Sequence, residues 1–146
     1  MTGGEILIAI LAGAGAALIM HWFMRLVSLS PSIDVDMVRV VSVVIQHNPQ
    51  GSSYISLLIH LGLGSVFGLL YALALSWFGD VSVLAGTLMG AGLGFYQGIT
   101  VAFALMYGTA ETLPDNYRRA SMQVGVVHTV AHVIFGTILG LVLSLV

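Results

Sequence analysis

Long apolar stretches alternate with short polar segments along this chain. Each stretch exceeds the roughly 20 residues that a helix needs to cross the hydrocarbon core of a bilayer. The stretches cover Glu5–Val27, Tyr54–Phe78, Val81–Tyr107 and Ala120–Val146. The residue-by-residue alternation that a membrane β-barrel requires is absent, so only helices fit this pattern. The pattern therefore predicts an all-α, polytopic membrane protein, with residues 1–146 forming a single transmembrane four-helix bundle.

The composition agrees with this fold class. Of the 146 residues, 58% are hydrophobic and 7% are charged, whereas a soluble domain carries about 25% charged residues. The chain contains no cysteine, which excludes disulfides, thiolate metal ligands and thiol nucleophiles. A net charge of -2, with only four basic residues, excludes the clustered basic surface that nucleic-acid binding requires.

The four arginines indicate an orientation. Arg25 and Arg39 lie at the junction of the first and second stretches, and Arg118 and Arg119 lie at the junction of the third and fourth. Because basic residues gather on the cytoplasmic side, we expect both junctions in the cytoplasm and both termini outside. The expected location is the cell inner (plasma) membrane. The first stretch lacks the positive flank of a signal peptide, so we interpret it as a mature helix.

The junction between the first two stretches predicts a further helix over Ser32–His47. Its polar residues recur at helical spacing on one face and its apolar residues fill the other, which is typical of an amphipathic helix in the membrane interface. A strand is the alternative, because valine is abundant there. The junction at Gly79 and Asp80 is very short, so the second and third helices are expected to be antiparallel neighbours.

Small residues recur every four positions within the apolar stretches, and this spacing lets two helix backbones approach closely in lipid. The residues expected to form such packing faces are Gly64, Gly68, Gly86, Gly90, Gly94, Gly98, Gly136 and Gly140. Each glycine costs about 1 kcal/mol of helix propensity relative to alanine. So many glycines in register indicate that close helix packing outweighs this cost, and we interpret the series as a glycine zipper. A glycine-lined pore or a broken helix is the alternative, although no proline interrupts any stretch.

One motif occurs twice. The sequence His-x3-Gly-[Ser/Thr]-x2-Gly-Leu begins at His60 and again at His132, 72 positions later. We therefore expect two copies of one helical hairpin, over about 5–78 and 81–146. Because each copy crosses the membrane twice, the expected symmetry axis runs along the membrane normal.

Histidines are the polar groups expected deepest in the bundle. His60 and His132 lie near the small-residue faces and should point inward, whereas His128 should point towards the bundle edge. His21 and Gln97 complete the candidate polar cluster. Ionisable groups inside a membrane indicate a functional site by default.

Three interpretations of this cluster remain open. His128 and His132 have the spacing that lets two imidazoles reach one metal, and His60 with His132 could hold a haem between facing helices. A proton relay is the second interpretation. The third, which we favour, has neutral histidines hydrogen-bonded across helices, because a zinc or iron site usually recruits a carboxylate or cysteine as well. The expected partners are Ser65, Thr129, Thr137 and Gln97.

The two histidine-bearing helices contain the motifs His60-x3-Gly64-x3-Gly68-x2-Tyr71 and His132-x2-Phe135-Gly136-x3-Gly140. In these motifs, and over nearly its whole length, the chain resembles the YagU-like small bacterial membrane proteins. The resemblance implies a four-helix inner-membrane fold and brings no catalytic residue with it.

Enzyme motifs are absent from the sequence, which has no Gly-x-Ser-x-Gly elbow, no P-loop and no paired intramembrane carboxylates. We therefore expect a small integral membrane protein without catalytic chemistry, embedded in the lipid bilayer. It would act as an accessory or structural subunit of a larger membrane complex, or as a self-associating homo-oligomer. A histidine-ligated haem- or metal-binding redox subunit is the alternative. A small transporter or channel is the second alternative.

Overall fold

The computed structural model describes residues 1–32, 53–108 and 121–146. Within these ranges the chain forms four helices, which are α1 (Gly3–Val27), α2 (Ser53–Ser76), α3 (Val83–Gly108) and α4 (Ser121–Leu143). Each helix is long and apolar enough to cross a membrane. The prediction of an all-α, multi-pass membrane protein is therefore confirmed at this level. The amphipathic helix predicted over Ser32–His47 lies outside the described residues from position 33 onward, as does the junction that contains Arg118 and Arg119.

Local hydrogen bonds explain where the helices begin and end. The Thr2 hydroxyl accepts a hydrogen bond from the Glu5 backbone N–H at 3.3 Å, and the Thr2 N–H donates to the Glu5 carboxylate at 2.8 Å. This reciprocal capping box starts α1. After α2 the chain turns at Gly79, whose φ of +69° lies in the left-handed region that favours glycine. The Ser82 hydroxyl then accepts from the Ala85 N–H at 3.3 Å, which caps α3.

Helices α1 and α2 form one antiparallel pair, with their backbones in close contact. A Cβ added to Gly13 would collide with the carbonyl oxygen of Gly64 and would lie 3.0 Å from the Cα of Gly68. A Cβ added to Gly64 would lie 2.5 Å from the Cβ of Ala17. Because nothing larger than hydrogen fits at these positions, glycine sets the distance between the two helices.

Helices α3 and α4 form the second antiparallel pair in the same way. A Cβ on Gly90 would collide with the carbonyl oxygen of Gly136 and would lie 2.7 Å from the Cα of Gly140. A Cβ on Gly94 would collide with the carbonyl oxygen of His132. All eight glycines proposed for helix packing are buried, and each faces atoms of a neighbouring helix.

The two pairs are joined mainly through α1 and α4. Their contact buries one cluster that includes Met20 and Met24 of α1 with Val124, Val127 and Ala131 of α4. Helices α2 and α3 are consecutive in the chain, yet they contact each other far less than α1 contacts α2, α3 contacts α4 or α1 contacts α4. The physical reason is that the glycines of α2 face α1 and those of α3 face α4. The bundle is consequently open between α2 and α3.

The outer surface of the bundle is apolar. Large hydrophobic side chains are exposed on all four helices, for example Leu11, Leu58, Leu88 and Val126. Exposed aromatic residues include Tyr54 at the start of α2, Trp77 after its end and Tyr107 near the end of α3, and also Phe95 and Tyr96 in the middle of α3. Those at the helix ends match the aromatic belts that are typical of membrane interfaces.

Candidate functional site

A cavity of about 210 Å³ lies where the four helices meet. Four of the five residues in the candidate polar cluster border it, namely His60, Gln97, His128 and His132. The rest of its wall is apolar or small and is formed by Ala17, Met20, Leu63, Gly64, Phe67, Val101, Leu105 and Phe135. The cavity is partly open, since Leu63, which borders it, is 48% exposed.

Among the described histidines, His128 is the most deeply buried, with 1% of its surface exposed. The prediction that it points towards the bundle edge is therefore wrong. His128 lies away from the face of α4 that packs against α3, but α1 packs against another side of α4 and buries it. The Nδ1–H of His128 donates to the Val124 carbonyl at 2.8 Å, so the ring is held against its own helix.

His132 follows one turn later on α4 and is 7% exposed. Its Nδ1–H donates to the His128 carbonyl at 2.8 Å. The ring lies beside α3, where a Cβ on Gly98 would lie 3.0 Å from the Cβ of His132. The glycines of α3 therefore make room for a histidine at this level of the interface.

The hydrogen bonds of the two α4 histidines determine which ring nitrogen carries the proton. A backbone carbonyl can only accept, so Nδ1 must donate in both rings, and Nε2 of a neutral ring is left as an acceptor. The Nε2 atom of His128 is buried and has no hydrogen-bond partner. The same holds for the Nε2 atom of His60. The cavity wall thus contains two buried imidazole nitrogens that nothing in the described part of the chain satisfies.

His60 enters the site from α2 and is only half-buried. Its ring forms a hydrogen bond with the backbone of Ala17 on α1. The fold therefore brings the motif histidines His60 and His132 to one cavity, together with His128. His21 does not border the cavity, and its ring makes an edge-on contact with Trp22 at a centroid distance of 6.4 Å.

The cross-helix partners expected for the histidines form other bonds. The hydroxyls of Ser65, Thr129 and Thr137 donate to carbonyls of their own helices, on Leu61, Gly125 and Val133. Short hydroxyl side chains in a helix readily reach the carbonyl one turn earlier. A carbonyl of the same helix is within reach whatever the neighbouring helix presents. The three hydroxyls therefore bond to their own helices and not to the histidines.

Tyr71 and Gln97 form a cross-helix hydrogen bond that the sequence did not predict. The Tyr71 hydroxyl on α2 donates to Oε1 of Gln97 on α3 at 2.9 Å. The Tyr71 ring also contacts Phe135 edge-on, with centroids 5.8 Å apart. A signal was present in the sequence, because Tyr71 lies on the same helix face as Gly64 and Gly68, and a buried tyrosine hydroxyl usually finds a partner.

The lining and the size of the cavity bear on which group it could hold. Among the described residues, no group of three or more His, Cys, Asp or Glu side chains is placed to hold a metal ion. A designed apolar cavity of about 150 Å³ holds one benzene molecule. The cavity of about 210 Å³ is larger than this benzene-sized space.

No family model matches the chain, and neither a curated protein nor a solved structure matches it. The class of protein is therefore defined by the fold and the cavity alone. It is a multi-pass membrane protein whose four described helices surround a cavity bordered by histidines.

Proposed function

We propose that the chain is a small integral membrane protein without catalytic chemistry that acts by assembly, as a self-associating bundle or an accessory subunit of a membrane complex. It lies in the inner (plasma) membrane with both termini outside and both arginine-bearing junctions in the cytoplasm. The YagU-like resemblance belongs to this proposal. The positions of the arginines and the four apolar helices support it.

The same proposal includes an internal repeat of two hairpins. The contacts of Gly13 with Gly64 and Gly68 have counterparts in the contacts of Gly90 with Gly136 and Gly140. The α2 and α4 members of these contacts are the glycines of the repeated motif, which supports one packing arrangement used twice. If the two hairpins were related by a twofold axis, α2 and α3 would pack against each other as α1 and α4 do. The two interfaces differ, because α1 and α4 are in extensive contact and α2 and α3 are not.

That difference is the observation that carries the assembly proposal. The α1–α4 interface is closed, while the corresponding α2–α3 side is open to the surroundings. Only 22% of the α2 span is buried, against 39% of the α4 span. Helix association in lipid depends on tight packing between helices, so the open side of α2 is the surface where a second copy would add the most contact.

Disulfide cross-linking tests the self-association directly, since the chain has no cysteine of its own. We expect Leu63→Cys, at the mouth of the open side, to give a cross-linked dimer when native membranes are oxidised. Gly62→Cys is the matched control, because it lies at nearly the same depth but about 100° further round the helix. Equal cross-linking at both positions would show that the open side of α2 is not the contact surface.

A histidine-based ligand-binding subunit is a second candidate, favoured by the unsatisfied Nε2 atoms of His60 and His128. An absorption spectrum of the purified protein separates the haem version from the others. The small cavity leads us to expect no Soret band. A Soret band that disappears in His60→Ala or His132→Ala would support the redox alternative.

A further inference from the structure

The central cavity combines free space with unsatisfied hydrogen-bond acceptors. His128 borders the cavity, is 1% exposed, and has an Nε2 atom that no described residue hydrogen-bonds. The Nε2 atom of His60, on α2, is likewise buried without a hydrogen bond to any described residue. Leaving a buried polar atom without a partner is costly in an apolar environment. A pair of such atoms on one cavity indicates that a molecule absent from the polypeptide satisfies them.

The polar chemistry of this molecule follows from the histidine hydrogen bonds. Because Nδ1–H of His128 already donates to the Val124 carbonyl, Nε2 of the neutral ring can only accept. The ligand must therefore donate a hydrogen bond. A carboxylate or a fully ionised phosphate has only acceptors to offer, and no arginine among the described residues borders the cavity to neutralise it. A metal cation would find no carboxylate in the part of the wall that the structure describes. A neutral hydroxyl group meets the requirement.

The apolar part of the ligand is indicated by the apolar residues of the cavity wall and by the volume of the cavity. Phe67 and Phe135 supply aromatic surface, and Leu63, Val101 and Leu105 supply aliphatic surface. A volume of about 210 Å³ exceeds the roughly 150 Å³ that holds benzene, so one ring with a few substituents fits. The opening lies between α2 and α3 on the lipid-facing side. The molecule therefore arrives dissolved in the bilayer.

We propose that this cavity binds a neutral, lipid-dissolved molecule with a single hydroxylated aromatic ring, a phenol or a hydroquinone. Its hydroxyl donates to Nε2 of His128 or His60, and its ring packs against Phe67 and Phe135. The proposal concerns binding alone and requires no change in the redox state of the ligand. It goes beyond the assembly proposed above, because dimer cross-linking and ligand binding are measured separately and either can fail alone.

The test compares two probes that share every heavy atom and differ in their donors. Tetramethylhydroquinone has two hydroxyl donors, and tetramethylbenzoquinone has none. Both are titrated into the full-length protein in lipid nanodiscs under anaerobic conditions, with empty nanodiscs subtracted. We expect saturable binding of the hydroquinone, about tenfold tighter than that of the quinone, because each buried hydrogen bond contributes about that factor at most.

Two variants assign the difference to the cavity. His128→Phe and His60→Phe replace the acceptor with an apolar ring, and we expect each to remove most of the preference for the hydroquinone. His21→Phe is the control histidine outside the cavity wall and should keep the preference. The melting temperature of each variant is measured first. Where a variant does not fold, the ratio of the two wild-type affinities decides the question by itself.

Three results would overturn the proposal. Equal affinity for hydroquinone and quinone would mean that the acceptors are not used. The absence of saturable binding by the hydroquinone would mean that water satisfies the two nitrogens. A preference that persists in folded His128→Phe and in folded His60→Phe would place the binding elsewhere.

Discussion

The hydroxyl of Tyr71 donates a hydrogen bond to Oε1 of Gln97 across 2.9 Å. This bond joins α2 to α3, the consecutive helices that otherwise contact each other little. The Tyr71 ring is 5% exposed and contacts Phe135 of α4, so three helices meet at this side chain. The bond therefore limits how far the open side of the bundle can widen.

A double-mutant cycle measures the contribution of this bond. We expect Tyr71→Phe and Gln97→Leu to be non-additive, with a coupling free energy of about 0.6 kcal/mol and at most about 1.7 kcal/mol, the range found for polar pairs in membranes. The free energy of unfolding is measured in mixed detergent micelles for both single variants and the double variant. Strict additivity would show that the two side chains do not interact in the folded protein.

Gly94→Ala should destabilise the protein, although alanine is the better helix former. The added Cβ would collide with the carbonyl oxygen of His132, a backbone atom that cannot move aside without separating α3 from α4. Overpacking of this kind costs about 1–3 kcal/mol. Gly92→Ala is the control on the same helix, since a Cβ there meets nothing within 4 Å. Thermal unfolding that is equal in the two variants would mean that the α3–α4 contact is looser than described.

The first hairpin should respond in the same way if both hairpins pack alike. Gly13→Ala places a Cβ against the carbonyl oxygen of Gly64, whereas Gly15→Ala places one in open space. We expect Gly13→Ala to be destabilised by an amount similar to Gly90→Ala, and Gly15→Ala to retain wild-type stability. A Gly13→Ala protein that is as stable as Gly15→Ala would contradict a shared packing arrangement.

His128→Phe should leave the ligand-free protein at least as stable as the wild type. The change removes the Nε2 atom, which has no partner among the described residues and whose burial costs about 1–3 kcal/mol. It also removes the hydrogen bond from Nδ1–H to the Val124 carbonyl, which contributes about 0.5–1.5 kcal/mol, so the net effect is expected to be close to neutral or stabilising. The melting temperature in detergent, without added ligand, checks this. A clear decrease would indicate that the imidazole is stabilised by a contact such as ordered water.

The orientation in the membrane can be tested with single cysteines, because the chain has none. A cysteine at Thr2 should react with a membrane-impermeant thiol reagent added outside intact cells, and a cysteine at Asn116 should not. The reason is that Asn116 lies in the arginine-bearing junction expected in the cytoplasm. Labelling at Asn116 without labelling at Thr2 would reverse the orientation.

The four helices were predictable because the information for them is local. Each stretch is apolar over more than the thickness of the hydrocarbon core, and the described helices begin and end within a few residues of the predicted limits. The information that groups the packing glycines on one face is also local, because it lies in their spacing within one helix. Small residues spaced by four fall on one side of a helix, so Gly64 with Gly68, and Gly136 with Gly140, were bound to share a face.

What the tertiary structure alone decided is which faces meet. The periodicity of α4 gives the angle between His128 and Gly140, but it does not say that α1 packs against α4 and buries His128. The opening between α2 and α3, and the Tyr71–Gln97 bond that spans it, depend on distances between side chains far apart in the sequence. Helix formation is set by neighbouring residues along the chain, whereas a cavity is the space that remains after all four helices have packed.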